Sequence, residues 1–451
     1  MSNRALRGVA IATAIGLGAI AVALRDVLPP FGRGAIGAAA LIAVVAVCST
    51  NLRAVKWRTV AWGLALQVGL ALFILKLQIG DWRPGYALFS SIAAAMRQFL
   101  QFTDAGSRLV FGGLADPAVL EKLFPGGYVF AFMGLPTIIF VSAFFTVLYH
   151  VGVLQVFVRL MARVMMKVMQ TSGAETLSAS ANVFMGMTEA PLIVRPYVPS
   201  MTQSEILTMM VGGLATIAGS VMAIYISLGA DAVAILATSV MAAPCGLYLS
   251  KILLPETEEP ETRGLVRAPV ERKHANAVDA LAAGAAEGTM LAINVAAMLI
   301  AFLATLALVD FLLGAVGHQA AVRLGLASWE GLSLARIFAV VFAPGAILIG
   351  VPSADVPAVA DLLGTKLVAN EFVAYLKLTS EYRQTMSPEA FVLSTYALTG
   401  FANFGSIGIL LGGIGGMAPT RRGDLARLSS RALLGGFLAT MINAAIASML
   451  L

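Results

Sequence analysis

Long apolar runs separated by short polar loops dominate this chain. Runs long enough to cross a bilayer as helices fall at 8–24, 34–50, 59–78, 128–149, 205–229, 232–254, 289–315, 335–351, 391–416 and 432–451. They predict an all-α polytopic membrane protein. Two stretches break the pattern, 171–199 and 352–378, where small and polar residues replace the apolar ones and each carries a carboxylate near its end. Each is followed by an apolar helix with its own Gly-containing polar patch, GGLATIAGS at 212–220 and GFANFGSIG at 400–408. This weak internal symmetry predicts two repeats, each built from a re-entrant helical hairpin and an unwound transmembrane helix meeting near the midplane. Non-helical backbone survives at that depth only where protein or a wet cavity satisfies it.

The pattern divides the chain into an N-terminal transmembrane helix at 1–30 and further N-terminal helices with an interfacial segment at 31–127. A first repeat at 128–254 holds hairpin 1 near 171–199, and a polar linker with an interfacial segment covers 255–288. A second repeat at 289–416 holds hairpin 2 near 352–378, and a loop and a last helix close the chain at 417–451. The first run follows Arg4 and Arg7, as a signal peptide would, but Arg25-Asp26-Val27-Leu28-Pro29-Pro30 offers no small-residue cleavage site, so a retained helix is expected. Arg53, Lys56 and Arg58 place the loop between the second and third runs in the cytoplasm. Arg421, Arg422 and Arg427 do the same for the segment before the last run, leaving the C-terminus outside.

Composition agrees with the pattern. Of 451 residues, 59% are hydrophobic and only 12% charged, too few to cover a soluble surface. The net charge of +6 is spread over short loops without a basic, aromatic-interleaved run, which excludes nucleic acid as a partner. Cys48 and Cys245 show neither metal spacing nor a plausible pairing, and His150, His274 and His318 are scattered. The mixed-charge stretch 255–275 reads as a solvated linker.

The informative residues are polar ones at membrane depth. Glu189, flanked by Gly186 and Pro191, needs a partner, a cavity or a substrate, because a carboxylate at a helix centre costs about 2.5–3.5 kcal/mol on insertion scales. A structural pair with Arg195 is the plain alternative. Glu371, in Asn370-Glu371-Phe372, poses the same problem, and Lys366 five residues earlier is at a poor helical pairing distance. Asn403 and Ser406, three apart, would share a helical face and offer an amide and a hydroxyl either to a ligand or to a neighbouring helix. Two carboxylates with amides and hydroxyls suit a polyhydroxylated neutral solute, whereas an anion would need converging Arg or Lys.

The segments TSGAETLSASANVFMGMTEAPLIVRPYVP, GGLATIAGS, EGTMLAINVAAMLIAF, GTKLVANEFVAY and YALTGFANFGSIGILLGGIG together resemble the concentrative nucleoside transporter family, from about residue 34 to the C-terminus. The resemblance implies a homotrimer in the bacterial cytoplasmic membrane, each protomer with a transport and a scaffold domain, that carries nucleosides into the cell with sodium by alternating access. It implies no catalytic residue and no cofactor beyond the coupling ion. By motif, Thr188 and Glu189 would face the base with Val221 nearby. Glu371, Asn403 and Ser406 would hold the ribose, and Phe401 would line the pocket. Sodium would be held by Asn182 and Thr216 with the carbonyls of Met185 and Ile217. Met187 departs from the family pattern, which has Gln before Thr-Glu, so one base-directed amide is missing and pyrimidine preference is open.

Two rivals remain at this level. Proton-coupled uptake would use Glu189, Glu371 or His150. A membrane enzyme acting on nucleosides or lipids finds no nucleophile–base pair, metal motif or phosphate loop in support, since Gly-rich LLGGIGGM at 410–417 lacks the Lys-Ser/Thr ending.

Overall fold

The computed structural model describes residues 2–122, 129–264, 274–326 and 329–451. Among these residues the regular elements are all helices. The first three, α1 (Asn3–Ala23), α2 (Pro30–Val47) and α3 (Trp57–Leu75), match the first three apolar runs. Ser2 caps α1 by accepting from the Ala5 N–H, and α1 buries only Ala21, leaving an apolar shaft that suits lipid rather than water. Asn3 and Arg7 tie its start to the turn between α2 and α3, the first accepting from the Leu52 N–H at 2.9 Å and the second donating to the Ser49 carbonyl at 2.6 Å. Small residues let α2 approach its neighbours. A Cβ at Gly37 would run into the Leu348 carbonyl, and one at Gly34 would meet Ala445 and Ser448.

The amphipathic helices α4 (Pro84–Gln101) and α5 (Thr103–Phe111) follow, then the one-turn α6 (Pro117–Leu120). Then come α7 (Phe130–Val151), which contains Pro136, and α8 (Val153–Met169), separated by Gly152 in the left-handed region at φ 92°. A run was expected at 128–149; residue 128 lies outside the described residues, and the helix continues two residues further than expected. No membrane-length run marks α8, because Arg159, Arg163 and Lys167 interrupt its apolar positions.

The region 171–199 is a short helix α9 (Gly173–Ala181), an irregular tip and the one-turn α10 (Ala190–Ile193). Ser172 and Glu175 form a capping box that starts α9. A second capping box, Thr202 with Glu205, starts α11 (Gln203–Ala215). The expected span 205–229 is broken: α11 ends at Ala215, residues 216–218 are not helical, and α12 (Gly219–Ser227) resumes. Helix α13 (Ala232–Leu253) is continuous.

One helix departs furthest from expectation. A span was expected at 289–315, yet α14 runs from Ala277 to Leu324, 48 residues. At 1.5 Å per residue that is about 72 Å, over twice the roughly 30 Å hydrocarbon core, so it cannot stand upright within it. Its buried residues form a single stripe, Ala280, Gly284, Gly288, Ala292, Val295 and Leu299, near Gly317 at its other end. Gly284 and Gly288 sit against α7, where a Cβ would meet the Ala143 and Ile139 backbones at 2.8 Å. The helical start at Ala277 also shortens the polar stretch, whose members Arg267, Glu271, Arg272 and Lys273 lie outside the described residues.

The second half echoes the first. The expected span 335–351 is instead two short helices, α15 (Leu334–Val341) and α16 (Ala343–Leu348), broken just before Pro344. Helices α17 (Val356–Val368) and α18 (Glu371–Ser380) pack as a pair. The expected span 391–416 is likewise broken, into α19 (Pro388–Leu398) and α20 (Phe404–Met417), and α21 (Arg422–Ser448) closes the chain. Eight helical segments, with α11–α12 counted as one, are long and apolar enough to cross a membrane among the described residues. Cys48 and Cys245 are both free thiols.

A polar cluster sits between α3, α13 and α21. The Gln67 amide donates to Asn443 Oδ1 at 2.6 Å, the Tyr248 hydroxyl donates to Gln67 Oε1 at 2.9 Å, and the Asn443 amide donates to Thr238 Oγ1 at 3.1 Å. Interhelical bonds of this kind average about 0.6 kcal/mol in membranes. Gln67→Leu is therefore expected to lower stability in detergent by about 1–2 kcal/mol, since two bonds go and two partners lose one each. A thermal unfolding midpoint equal to that of the parent would show that the cluster is not holding these helices.

Candidate functional site

The two helix breaks meet each other. In the first, Thr216 is extended, with φ −124° and ψ 173°, and its hydroxyl donates back to the Gly212 carbonyl at 2.9 Å. In the second, residues 399–403 connect α19 to α20, and the Phe401 N–H donates to the Thr216 carbonyl at 3.1 Å. Gly400 makes this approach possible, because a Cβ there would lie 2.6 Å from the Thr440 methyl and 3.0 Å from the Leu214 carbonyl oxygen. Backbone groups released by unwinding are thus paired across the breaks.

A cavity of about 320 Å³ opens beside this crossing, a volume within the range of small-molecule sites. Met187, Thr188 and Glu189 enter it from the tip between α9 and α10, and Val221 from α12. Glu371 enters from the start of α18, Phe401 from the second break, and Asn403 and Ser406 from the start of α20. All eight residues expected to bind substrate therefore share one cavity. A further, apolar part of its wall comes from α14, through Leu291, Val295, Leu299 and Phe302.

Glu371 is the most constrained of the eight. It is 6% exposed and is the first residue of α18, which Asn370 caps by accepting from the Val373 N–H at 2.9 Å. The N-terminal end of a helix favours a carboxylate. Its Oε1 accepts from the Tyr225 hydroxyl at 3.0 Å and its Oε2 from the Asn403 amide at 2.9 Å. A carboxylate has about four acceptor positions, so these two side-chain bonds leave it capacity for a ligand. Lys366 is no ion-pair partner. Its ammonium donates to the Ala397 carbonyl at 2.7 Å and to Thr440 Oγ1 at 2.8 Å, which braces the end of α19 instead.

Asn403 corrects the sequence expectation. It does not share a helical face with Ser406; it is the N-cap of α20, and its Oδ1 accepts from the Ser406 N–H at 2.8 Å. Its amide then reaches Glu371, so one side chain joins the start of α20 to the start of α18. Tyr225 has no polar marker in the sequence around it, and no expectation included it. It stacks on Tyr375 at 4.1 Å between ring centroids while its hydroxyl meets Glu371.

On the opposite wall, Glu189 is exposed and its Oε2 accepts from the Gly186 N–H at 3.1 Å. It makes no ion pair with Arg195 among the described residues. A second cavity of about 310 Å³ begins at Glu189 and also holds Glu287 of α14 and His274. Glu287 opens the EGTMLAINV run, so a carboxylate beside an apolar segment was its available signal. Met187 packs tightly on α11, where a Cβ at Gly213 would lie 2.8 Å from the Met187 Cβ.

Of the four residues expected around a cation, Asn182 and Met185 belong to the stretch between α9 and α10, and Thr216 and Ile217 to the first break, on whose far side that stretch docks. Asn182 is fully buried and its amide donates to the Ser178 carbonyl at 3.0 Å, leaving Oδ1 without a partner among the described residues. Ser178 Oγ is likewise unpartnered. The Phe184 carbonyl accepts from the Gly219 N–H at 3.0 Å, which fastens the tip to the start of α12. Met185 lies between these points, and Thr216 and Ile217 form the facing break. A buried amide oxygen without a donor is costly by about 1–3 kcal/mol unless something fills its coordination.

The chain matches family models described as the N-terminus and the C-terminus of Na+ dependent nucleoside transporters, over residues 36–114 and 234–448, and one described as a nucleoside-recognition gate over 131–232. It is 42% identical over 428 residues to an uncharacterized transporter of Haemophilus influenzae, covering 92% of this chain and 96% of that protein. It is 43% identical to sodium/nucleoside cotransporter 1 of Mus musculus, covering 89% of this chain but spanning only 61% of that longer protein. Among solved structures it resembles CNTnw in an inward-facing substrate-bound state, with a TM-score of 0.85, 38% identity and coverage of 93% of this chain and 97% of that one. An outward-facing form of CNTnw with two substitutions gives a TM-score of 0.87 at 37% identity, with coverage of 93% and 98%.

Proposed function

Since the chain belongs to the concentrative nucleoside transporter family and is a multi-pass membrane protein, we propose that it carries nucleosides into the cell together with sodium. The observation that carries this reading is Glu371, a carboxylate buried at a helix start, oriented by Tyr225 and Asn403, with acceptor capacity open to the cavity. Glu371, Asn403 and Ser406 hold the ribose hydroxyls. Met187, Thr188, Glu189 and Val221 face the base, and Phe401 lines the space between. A hydroxyl-rich, uncharged ligand fits a wall with acceptors and without converging cations.

Sodium is held by Asn182, Thr216 and the carbonyls of Met185 and Ile217. It is a hard cation that takes oxygen ligands, and the unpartnered Asn182 Oδ1 supports this assignment. The coupling follows from connectivity. The tip that contributes Asn182 and Met185 also contributes Met187 to Glu189, and the break that contributes Thr216 is bonded to Phe401. Ion binding therefore fixes two walls of the nucleoside cavity, and by linkage each ligand raises the affinity for the other. The α9–α10 and α17–α18 elements act as re-entrant hairpins that move with the broken helices, giving alternating access against the long helices. The exposed apolar length of α14 supports packing against further copies, as in a trimer.

The test is uptake into proteoliposomes with sodium replaced by choline at constant pH, in competition with unlabelled nucleosides and free bases. Sodium-dependent uptake blocked by nucleosides but not by bases is expected. Glu189 and Glu287, which share a cavity, favour proton coupling as the second reading. Uptake that follows pH and ignores sodium would establish it.

Met187 sets the base preference. A thioether is a weak acceptor with no donor, and Met packs against rings of either size. Purine and pyrimidine nucleosides are both expected as substrates. Met187→Gln should strengthen uridine or cytidine binding by about 0.5–1.5 kcal/mol, the net value of one hydrogen bond. The same change for uridine, cytidine, adenosine and inosine in competition uptake would mean that residue 187 does not face the base.

A further inference from the structure

We propose that a basic recess between the start of α3 and the end of α8 binds the phosphodiester headgroup of an anionic membrane phospholipid. The recess has a volume of about 870 Å³ and is lined by Lys56, Arg58, Arg163, Lys167 and Arg263. Arg163 and Lys167 stand one turn apart on α8, and Lys56 and Arg58 flank the first residue of α3. Of the five, Arg263 is held by Glu259 at 2.8 Å. An adjoining acidic recess, with Glu175, Glu256, Glu258 and Glu259, reaches Lys56 and Arg263 but not the other three. Two of its carboxylates, Glu175 and Glu256, already hold Lys251, at 2.6 and 3.5 Å. Arg58, Arg163 and Lys167 make no ion pair among the described residues. Three like charges converge there without a counter-charge among the described residues.

Their position identifies the anion. Trp57, between Lys56 and Arg58, is 53% exposed, as a tryptophan at the headgroup level of a bilayer would be. Helix α8 buries Val158, Ala162 and Met165 on one side and exposes Val156, Phe157 and Leu160 on another. A helix with one face in the protein, an apolar face outward and a basic edge lies along the membrane boundary. The excess of Lys and Arg puts that boundary on the cytoplasmic side, where anionic lipids meet basic residues. Guanidinium groups match phosphodiester oxygens in paired hydrogen bonds, and the exposed apolar face of α8 gives the acyl chains a surface that free phosphate could not use.

The test uses Trp57 as the reporter, in a variant whose Trp62, Trp82 and Trp329 are replaced by Phe, reconstituted in phosphatidylcholine bilayers. Brominated phosphatidylglycerol is expected to quench Trp57 with an apparent affinity at least about fivefold above brominated phosphatidylcholine, the ratio for one cation near an anionic headgroup. Arg58→Gln, Arg163→Gln and Lys167→Gln together should bring that ratio close to one, while Arg323→Gln at the far end of α14 should leave it unchanged. All three side chains are exposed, and unchanged uptake in pure phosphatidylcholine shows that the triple variant is folded. A preference that survives in the triple variant overturns the proposal. So does full displacement of the brominated lipid by millimolar inorganic phosphate, which would make the ligand a soluble anion.

Discussion

Glu371→Gln is expected to weaken nucleoside binding by about ten- to a hundredfold, since a hydrogen bond to a charged acceptor contributes about 1.5–3 kcal/mol and a bound ribose would use the carboxylate. The substitution preserves size and the start of α18. It replaces one acceptor oxygen with a donor. If the amide nitrogen takes the Oε2 position, it faces the Asn403 amide across 2.9 Å, donor against donor, and the brace between α18 and α20 is lost. If it takes the Oε1 position, it faces the Tyr225 hydroxyl, which can turn to accept. The amide will adopt the second arrangement, so the protein should fold while the ligand-facing acceptors are depleted. Tyr225→Phe separates the contributions: it removes one orienting bond but leaves the charge, and should cost only about 0.5–1.5 kcal/mol. Equilibrium binding of uridine and adenosine to purified proteins measures both. Parental affinity in a folded Glu371→Gln protein would remove Glu371 from the site.

The sequence made the breaks and the pocket walls visible for a physical reason. Polar residues are expensive at membrane depth, so Glu189, Glu371 and Asn403 stand out against apolar surroundings, and all three lie at a helix break, a helix start or the tip between two short helices, whereas Thr216 is reached only through the family resemblance. What hydropathy hides is geometry that changes no composition. Residues 335–351 read as one apolar run, yet the helix stops at Val341 and restarts at Ala343. Residues 277–288 are small and mixed in polarity, so nothing announces that α14 begins there; its regular spacing of Ala280, Gly284 and Gly288 becomes meaningful only against α7. Helix α8 escaped because basic residues every fourth position break a hydropathy run while preserving a helical face. Tyr225 escaped because an aromatic residue in an apolar helix is ordinarily packing, and only the fold brings its hydroxyl to Glu371. Asn403 was expected as a ligand on a helical face; spacing of three fits an N-cap bonded to the third residue equally well, and the cap is what forms.

Asn182→Ala is expected to move half-maximal sodium activation about tenfold higher, because one oxygen of a small cation site is lost and a charge-assisted contact contributes about 1.5–3 kcal/mol. The fold should tolerate the change. Asn182 gives only one side-chain bond to the protein, from its amide to the Ser178 carbonyl, and its Oδ1 gives none. Removing a buried oxygen that has no protein donor relieves a desolvation cost, so unfolding in the absence of sodium should be unchanged or shifted slightly toward greater stability. A purely structural asparagine would behave in the opposite way, losing stability at every sodium concentration. Nucleoside affinity provides the second readout. At low sodium it should fall with the ion, because the tip carrying Asn182 also carries Met187, Thr188 and Glu189 into the nucleoside cavity. At saturating sodium it should return to near the parental value, since the nucleoside contacts themselves are untouched. Sodium titrations of uptake and of nucleoside binding, run together with thermal unfolding in sodium and in choline, measure all three. An unchanged sodium dependence with unchanged stability would put the ion elsewhere and leave the unpartnered Asn182 oxygen without a role in coupling.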